Sequence, residues 1–389
     1  MKNEGPYILE WLAYHRVIGF SNFLIYTNDC ADGTTEILDR LTHLGVVQHE
    51  ENIVLRRGPH KSALKYAKDH HLARSSAWIY VADIDEYLNI HIGQGTVQEL
   101  MQAYPNADAI PVTWRLFSHN DHVELVKPDL LQDFTDAERA LENGGQDGRF
   151  VKTLFRNDPC VERYGLHTPI VGKDHVNDFV WITPDGRKLA DPDSKSRGQF
   201  GYVGAQVNHY AVRTVEGYLV KKDRGRANHF RHNLGTDYWQ RMCRGGETDL
   251  SIQRHIPAVR AEMQKLLEDK LLAKLHAESL AWHKDKVNEL RKIPDFADLR
   301  RDVIALSNAR DHQRTEVDRA MHQDQKVTQN ALRAQTQRTA ADTEASSPKT
   351  IKSIILSLRH ALQGIEPLEA NLTAADLINK LEKICDDHV

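Results

Sequence analysis

The sequence predicts an α/β protein with a mostly parallel sheet, flanking helices and an α-helical carboxyl-terminal extension. Short apolar runs alternate with amphipathic helical patterns in the amino-terminal part of the chain, the order that parallel strands with helical crossovers require. Of the 22 glycines, 21 lie before residue 247, so turns are concentrated in that part. Aromatic residues follow the same division, since only Trp282 and Phe296 come later.

In the amino-terminal part, the residue pattern predicts each helix and strand of this alternation in turn. Apolar residues from Ile8 to Ile18 recur at helical spacing, and Gly19 ends that helix. Ligands of a parallel sheet bind at the carboxyl ends of its strands, so the strand ends matter most for function. The next predicted elements are a strand over 22–28, a helix over 34–44, a strand beginning at Val46, a helix over 62–73 and a strand over 78–82.

The carboxyl-terminal part is predicted to be helical and poor in core residues. Val259, Met263, Leu267, Leu271 and Leu275 recur every four residues, an apolar stripe that must pack against another surface, the nearest being the preceding domain. We therefore divide the chain into a globular domain over 1–255, an amphipathic helical extension over 256–306, a polar helical or disordered linker over 307–350 and short helices over 351–389.

Composition and charge exclude several classes of protein. The 51 lysines and arginines against 55 acidic residues give a net charge of −4, so the chain is not a general polycation for nucleic acid. No apolar run approaches the about 18–20 residues of a membrane span, and the amino-terminus lacks the apolar core of a secretory signal. The four cysteines are widely spaced without a C-x-x-C pair, which favours a reducing, cytoplasmic compartment.

The strongest local signal is a pair of carboxylates, Asp83 and Asp85, directly after the strand predicted over 78–82. In an extended segment residues i and i+2 point the same way, so the two side chains could converge on one ion. Oxygen ligands suit Mn²⁺ or Mg²⁺, and these ions commonly bind substrate phosphates. The alternative interpretation, a solvated strand end followed by an acidic turn, stays open at this point.

Several segments, taken in their order along the chain, resemble a known family. They are Lys2-Asn3-Glu4, Glu10-Trp11, Tyr14-His15, Tyr26 to Thr34, Asp83 to Glu86, Trp114 to Phe117, Lys152 to Arg156, His167 to Pro169 and Asn208-His209-Tyr210. The set resembles the family-2-like glycosyltransferases of the GT-A fold, and within them the branch related to the family-92 enzymes. The resemblance covers roughly residues 2–255. It implies a Rossmann-like sheet and transfer of a sugar from a nucleotide-sugar donor to a hydroxyl acceptor.

The resemblance also implies roles for individual residues and partners. Asp83, Asp85 and His209 would hold Mn²⁺ or Mg²⁺ against the donor diphosphate, although His209 is equally readable as a core histidine. A UDP-sugar is the first choice of donor, and a glycan or glycolipid is the acceptor. The donor would be contacted by Asn3, Glu4, Asn28, Asp29, Asp32 and Asp83. For Asp32 a simple turn and helix cap is the alternative.

A catalytic base is needed if the reaction inverts the anomeric centre, because the acceptor hydroxyl must lose its proton. Asp249 and Glu247 follow a Gly-Gly turn near the end of the domain and are the candidates, and Asp249 matches the late aspartate of the family better. The alternative for both is a carboxylate at the amino-terminal end of a helix. The basic run from Lys221 to Arg244 either contacts an anionic part of the substrates or forms a solvated helix face.

One departure from the family concerns the start of the chain. Relatives have an apolar strand before the Lys-Asn-Glu motif, whereas here Met1 directly precedes Lys2, so the first strand is apparently missing. We therefore expect a disordered or displaced amino-terminus and weak donor binding. The alternative function is a catalytically impaired GT-A relative that acts as an interaction or assembly module. Association with a membrane surface and oligomerisation through the carboxyl-terminal helices both stay open.

Overall fold

The computed structural model describes residues 1–125, 129–139, 150–189, 201–225 and 234–309. All of these lie in the first of the two units into which the chain divides, Met1–Arg310. The second unit, Asp311–Val389, lies outside the described residues. The predicted helices over 351–389 and all but the first three residues of the predicted linker therefore also lie outside them.

The described strands form one five-stranded sheet and three two-stranded sheets. The five-stranded sheet has the order β3 (Trp78–Tyr80), β7 (Val151–Arg156), β5 (Ala109–Leu116), β10 (Ala205–His209) and β4 (Glu86–Ile90). In it β3, β5 and β10 run in one direction, and β7 and β4 run in the other. The small sheets are the parallel pair β1 (Leu24–Thr27) and β2 (Gln48–Glu51), and the antiparallel pairs β6 (Asp136–Ala137) with β11 (Glu247–Thr248) and β8 (Val161–Arg163) with β9 (Ile170–Val171).

The predicted α/β class, with helices that flank a sheet and a helical carboxyl-terminal part, is confirmed. The helices are α1 (Gly5–Val17), α2 (Thr34–His43), α3 (Pro59–Asp69), α4 (His71–Ser75), α5 (Val97–Ala103), α6 (Leu130–Asp133), α7 (Val215–Arg224), α8 (Thr236–Met242), α9 (Ile256–Leu267), α10 (Lys270–Leu290) and α11 over 294–309. Within the described ranges, none of them is both long enough and apolar enough to cross a lipid bilayer.

Helix α1 lies in the centre of the core and is tied to β4. Trp11 Nε1 donates a hydrogen bond to the carbonyl of Glu86 at 2.9 Å, and Tyr14 OH donates one to the carbonyl of Leu88 at 2.8 Å. On the same helix both carboxylate oxygens of the buried Glu10 accept from Leu130 N. Burial raises the pKa of Glu10 to about 8. The core therefore fixes the strand that begins at Glu86 and holds one carboxyl group that favours its protonated form.

The element bounds predicted from the sequence agree with the structure to within a few residues, apart from one break. The helix predicted over 62–73 is two helices, because His70 adopts an extended conformation between α3 and α4. The ring nitrogen Nδ1 of His70 accepts from Leu72 N at 3.2 Å and so caps the second helix. A local hydrogen bond of this kind ends a helix that hydrophobic spacing alone would continue.

The predicted apolar stripe of the carboxyl-terminal extension is interrupted between α9 and α10. Asp269 accepts from Leu272 N at 2.8 Å, and its carboxylate pairs with Arg40 at 2.5 Å, so α10 starts in a new register. Leu271 is consequently 47% exposed, which corrects its prediction as a buried residue, and Leu272 is fully buried instead. Val259 does pack in the same core cluster as α1, as predicted.

Candidate active site

The end of β10 and the start of β4 bring one histidine and two carboxylates together. His209 lies directly opposite Glu86 in the antiparallel pair, so the two side chains point to the same face of the sheet. Asp85 precedes Glu86, and its Oδ2 lies 3.8 Å from His209 Nε2. All three residues are buried, and they offer ligand atoms that lie within 4.8 Å of one another. They form the one group in the described part of the chain that could hold a metal ion.

Asp83 lies outside this group. A turn in which Glu86 N donates to the carbonyl of Asp83 at 3.1 Å replaces the predicted extended segment, so the spacing argument for Asp83 and Asp85 does not apply here and a ligand role for Asp83 stays a prediction. The Asp83 carboxylate accepts from Lys152 Nζ at 2.8 Å, and its side chain is 38% exposed. Sequence spacing could not indicate this turn, because i and i+2 converge only while the backbone stays extended.

Two lysines from different elements balance the carboxylates. Lys152 of β7, almost fully buried, places Nζ 2.8 Å from Asp83 and 3.2 Å from Glu86. Lys221 of α7 places Nζ 2.7 Å from Asp85 Oδ2 and donates a second hydrogen bond to the carbonyl of Ala211. Each ammonium is therefore held at a defined position beside the group formed by Asp85, Glu86 and His209.

The two carboxyl groups of the Asp85–Glu86–His209 cluster have pKa values that shift in opposite directions. Burial alone would raise the pKa of Asp85, but Lys221 and His209 hold it well below its usual range. Burial raises the pKa of Glu86 well above its usual range, because the attraction of Lys152 is offset by the negative charges of Asp83 and Asp85. Asp85 is thus the fixed negative charge of the cluster.

Two buried atoms of the cluster lack a partner. Among the described residues, neither Glu86 Oε1 nor His209 Nδ1 has a hydrogen-bond partner. An unsatisfied buried polar atom costs about 1–3 kcal/mol, so such atoms are expected to serve a ligand. Carboxylates suit Mg²⁺ and Mn²⁺, and an imidazole ligand favours a transition metal. The residues present therefore fit a divalent cation, and of the two predicted ions they fit Mn²⁺ better.

The amino-terminal segment is packed in place, so the prediction of a disordered or displaced amino-terminus is wrong. Asn28 N donates to the carbonyl of Met1 at 3.2 Å, Ala31 N donates to Asn3 Oδ1 at 2.8 Å, and Glu4 N donates to Thr34 Oγ1 at 2.8 Å. Asn3 and Glu4 are buried. One backbone carbonyl and two side-chain oxygens thus hold the segment, so the disorder on which the expectation of weak donor binding rested is not found.

Glu4 connects this segment, through Arg213, to the backbone next to the Asp85–Glu86–His209 cluster. Its carboxylate lies 2.5 Å from Arg224 and 2.8 Å from Arg213, and Arg213 also donates to the carbonyl of Ile84 at 3.2 Å. Burial alone would raise the pKa of Glu4, but Arg224 and Arg213 lower it. The guanidinium of Arg213 stacks on Tyr7 at 3.5 Å. The surrounding cleft is lined in part by Asn3, Glu4, Arg213, Lys221, Arg224 and His283.

The remaining predicted donor residues lie after β1. Asn28 and Asp29 follow its carboxyl end, and Asp29 is exposed with a positive φ of 51°. Asp32 is buried, and its carboxylate accepts from Gly5 N and Thr34 N, both at 3.0 Å. These are the first amides of α1 and α2, so the alternative interpretation of Asp32 as a turn and helix cap fits its hydrogen bonds, and its contact with a donor stays a prediction.

An aromatic wall lies on the His209 side of the sheet. The ring of Trp114 is 4.3 Å from that of His209, 5.2 Å from that of Phe150 and 5.4 Å from that of His167, measured between centroids. Phe150 is exposed. Trp114 Nε1 is buried and has no hydrogen-bond partner among the described residues. The wall thus offers an apolar surface and one free donor beside the cluster.

The two predicted catalytic bases lie on the other face. Arg115 is next to Trp114 in β5, so its side chain points away from the wall. Its guanidinium lies 2.7 Å from Asp249 and 2.9 Å from Glu247. Asp249 is buried and also accepts from Gln206 at 2.7 Å. The structure therefore joins Asp249 and Glu247 to each other through Arg115 and does not bring them to Asp85 and His209.

Sequence reasoning missed several charged residues of the site. Glu86 and Lys152 stood within segments that carry the family resemblance, so the signal was present without an assigned role. Lys221 and Arg224 begin the basic run whose two interpretations stayed open, and both pair with buried carboxylates instead of forming a solvated face. His283 had no local signal, because its partner Asp32 is 251 positions away in the chain.

Comparison with known proteins agrees with the family resemblance seen in the sequence. A family model described as glycosyltransferase family 92 matches residues 3–267. A glycosyltransferase family 92 protein of Oryza sativa subsp. japonica is 27% identical over 107 residues, which make up 27% of this chain and 17% of that protein. A second one, of Ricinus communis, is 28% identical over 102 residues, 25% of this chain and 17% of the relative. The chain thus aligns with about a sixth of the length of these relatives.

Proposed function

The chain belongs to glycosyltransferase family 92, and from this we propose that it transfers a sugar from a nucleotide-sugar donor to a hydroxyl group of a glycan or glycolipid. One observation carries the proposal. The buried group of Asp85, Glu86 and His209 adjoins a cleft lined by Lys221 and Arg224. Metal ligands and fixed basic side chains in one place are what a nucleoside diphosphate leaving group requires.

The charges around the cleft suit a donor diphosphate. A divalent cation bound by Asp85, Glu86 and His209, Mn²⁺ by preference, would neutralise the departing phosphates. Lys221 lies 2.7 Å from Asp85 and Arg224 lies 2.5 Å from Glu4, so both cations are positioned at the edge of the cleft. From there they can donate charge-assisted hydrogen bonds to phosphate oxygens.

The nucleoside of the donor is assigned to the segments after β1 and before α1. Asn28 and Asp29 present polar side chains at the carboxyl end of β1, where ligands of α/β sheets bind. Asn3 and Glu4 are tied to the same loop by hydrogen bonds. A UDP-sugar is the first donor to test, since it is the donor that the family resemblance implied.

The aromatic wall is assigned to a sugar ring. Trp114 lies beside His209, so a sugar held near the cation would meet the indole face. Pockets for such ligands combine apolar surface with a few polar groups that fix orientation, and the unpaired Nε1 of Trp114 is one such group. Asp249 and Glu247 receive a structural role instead, because both pair with Arg115 on the opposite face.

The function is tested by a panel of UDP-, GDP- and TDP-sugars, with release of the nucleoside diphosphate as the readout. We expect release from one nucleotide class, dependence on Mn²⁺, and loss of both in the Asp85→Asn variant. Addition of EDTA separates the metal requirement from the transfer itself. Release no faster than in buffer across the whole panel would overturn the proposal, and release that survives EDTA would overturn its metal-dependent part.

A further inference from the structure

Helix α10 contributes a histidine to the donor cleft from outside the segment that matches the family. The match ends at residue 267, whereas α10 spans Lys270–Leu290. His283 is buried, and its Nε2 lies 2.7 Å from Asp32 Oδ2. The same side chain lines the cleft that Glu4 and Lys221 also line. A residue of the helical extension therefore takes part in the proposed donor site.

Asp32 is the point at which three segments meet. Its Oδ2 accepts from Gly5 N and from His283, and its Oδ1 accepts from Thr34 N. The carboxylate therefore serves the first amides of α1 and α2 and one side chain of α10. With no water access to replace a lost partner, each of these hydrogen bonds limits how the carboxylate can turn.

The segments that Asp32 joins are those assigned to the nucleoside. Ala31 N donates to Asn3 Oδ1 and Glu4 N donates to Thr34 Oγ1, both at 2.8 Å. Residues 3–5 and 31–34 consequently move as one unit, and Asp32 lies inside it. Loss of the His283 side chain would therefore loosen the positions of Asn3 and Glu4, because Asp32 connects them to His283.

Helix α10 is itself fixed against this unit. At its start Asp269 pairs with Arg40 of α2. One turn before His283, Ser279 packs so closely on Gly5 that a Cβ added at Gly5 would lie 2.1 Å from the Ser279 hydroxyl. The helix thus contacts α1 at its first residue and α2 in its last turn, which leaves His283 little freedom to turn away from Asp32.

We propose that His283 is a positioning residue for donor binding, which donates from Nε2 to Asp32 and so fixes residues 3–5 and 31–34 on the nucleoside side of the cleft. The proposal rests on the proposed function. It makes the extension part of the active site, so the family-matched segment by itself would lack one contact of the donor site. The alternative is that His283 serves helix packing alone, and the experiment must distinguish this from the positioning role.

The test compares three variants of the full chain. His283→Ala removes the hydrogen bond, His283→Gln keeps a donor that can reach Asp32, and His276→Ala removes a buried histidine of the same helix two turns earlier. Binding of UDP, GDP and TDP, each with Mn²⁺, is measured by calorimetry, and urea unfolding is measured in parallel. We expect His283→Ala to weaken nucleotide binding about tenfold, His283→Gln to restore most of it, and His276→Ala to change unfolding alone.

The outcomes separate this inference from the function on which it rests. Absence of nucleotide binding by the wild-type chain would overturn both. Wild-type binding that His283→Ala leaves unchanged, or a loss in His276→Ala as large as in His283→Ala, would overturn the inference and keep the function. If His283→Ala does not fold, His283→Asn takes its place, since its shorter amide cannot reach Asp32, and equal binding by the Asn and Gln variants would then overturn the inference.

Discussion

The two faces of the sheet at β5 and β10 each bury a cluster of charged side chains, and the clusters differ in how fully their atoms are paired. On one face Asp249 accepts hydrogen bonds from Arg115 and Gln206, both at 2.7 Å. On the other face Glu86 Oε1 and His209 Nδ1 are buried without a hydrogen-bond partner among the described residues. Strand β10 supplies one residue to each cluster, Gln206 to the first and His209 to the second.

The difference shows which buried polar cluster serves the fold and which serves a ligand. A buried network whose groups are paired rigidifies a protein, whereas unpaired buried groups cost free energy that some other benefit must offset. In the Arg115 cluster the Asp249 carboxylate is paired, and Arg115 Nη2, which makes no hydrogen bond to a described residue, lies 2.9 Å from Glu247, so this cluster is closer to the first description. The Asp85–Glu86–His209 cluster meets the second. Substitutions on the two faces should therefore separate loss of stability from loss of activity.

The largest expected effect is on activity, in the Asp85→Asn variant. Asp85 supplies the fixed negative charge of the cluster, and its loss should lower kcat by about 100- to 1,000-fold, the scale of a lost electrostatic contact in an active site. Lys221 keeps its hydrogen bond to Ala211 but loses Asp85 as its charge partner, so some loss of stability against urea should accompany the loss of turnover. Turnover and urea unfolding measured on the same preparation check this, and a variant that unfolds early with normal kcat would reverse the assignment of the two faces.

The matched change on the other face, Asp249→Ala, should reduce stability. It leaves Arg115 buried without its closest partner, which typically costs about 3–5 kcal/mol. Burial alone would raise the pKa of Asp249, but hydrogen bonds from Ser251 and Gln206 and the charge of Arg115 lower it. A lowered pKa stabilises the fold above the unfolded value and loses that effect as pH falls through the folded value. The stability gap between wild type and variant should therefore be full at pH 7 and shrink toward pH 3, as urea unfolding at both values can show.

A third buried carboxyl group, Glu10, tests whether burial without an ion-pair partner is enough to identify a functional residue. Glu10 has a pKa raised to about 8, contacts Leu130 and Tyr87, and forms no ion pair with any residue that the structure describes. The folded state holds its proton, so stability should fall as pH rises from about 4.5 through 8. Glu10→Gln cannot ionise and should gain about 3 to 4 kcal/mol over the wild type between pH 5 and pH 8. Urea unfolding at the two pH values measures the gain, and a tenfold loss of kcat would show that Glu10 belongs to the site.

The smallest expected effect is that of Glu247→Gln. Its carboxylate pairs with Arg115 at 2.9 Å but is 44% exposed, so the pair should contribute less than about 1 kcal/mol. Turnover should stay within about twofold of the wild type, because the side chain lies on the structural face. Steady-state kinetics across pH give the measurement. Loss of the acidic limb of the pH profile would instead make Glu247 the acceptor base that the sequence suggested.

The sequence predicted the fold class because strands and helices alternate with clear spacing, as in α1, β1 and α2. It predicted Asp85 and His209 as partners through the family resemblance, and the register that sets His209 opposite Glu86 explains why they meet. It could not predict the turn that separates Asp83 from Asp85, since that depends on one backbone hydrogen bond. Nor could it predict His283, whose direction depends on where α10 begins.

The cap at the start of α10 also limits how this chain can change by insertion or deletion. Asp269 fixes the first turn of the helix, and His283 follows fourteen positions later, close to four full turns. One residue gained or lost between them would rotate the histidine by about 100° and point it away from Asp32. An aspartate and a histidine at this spacing, downstream of an Asp-Gly-Thr turn, are therefore a signature by which relatives built in the same way can be recognised from sequence.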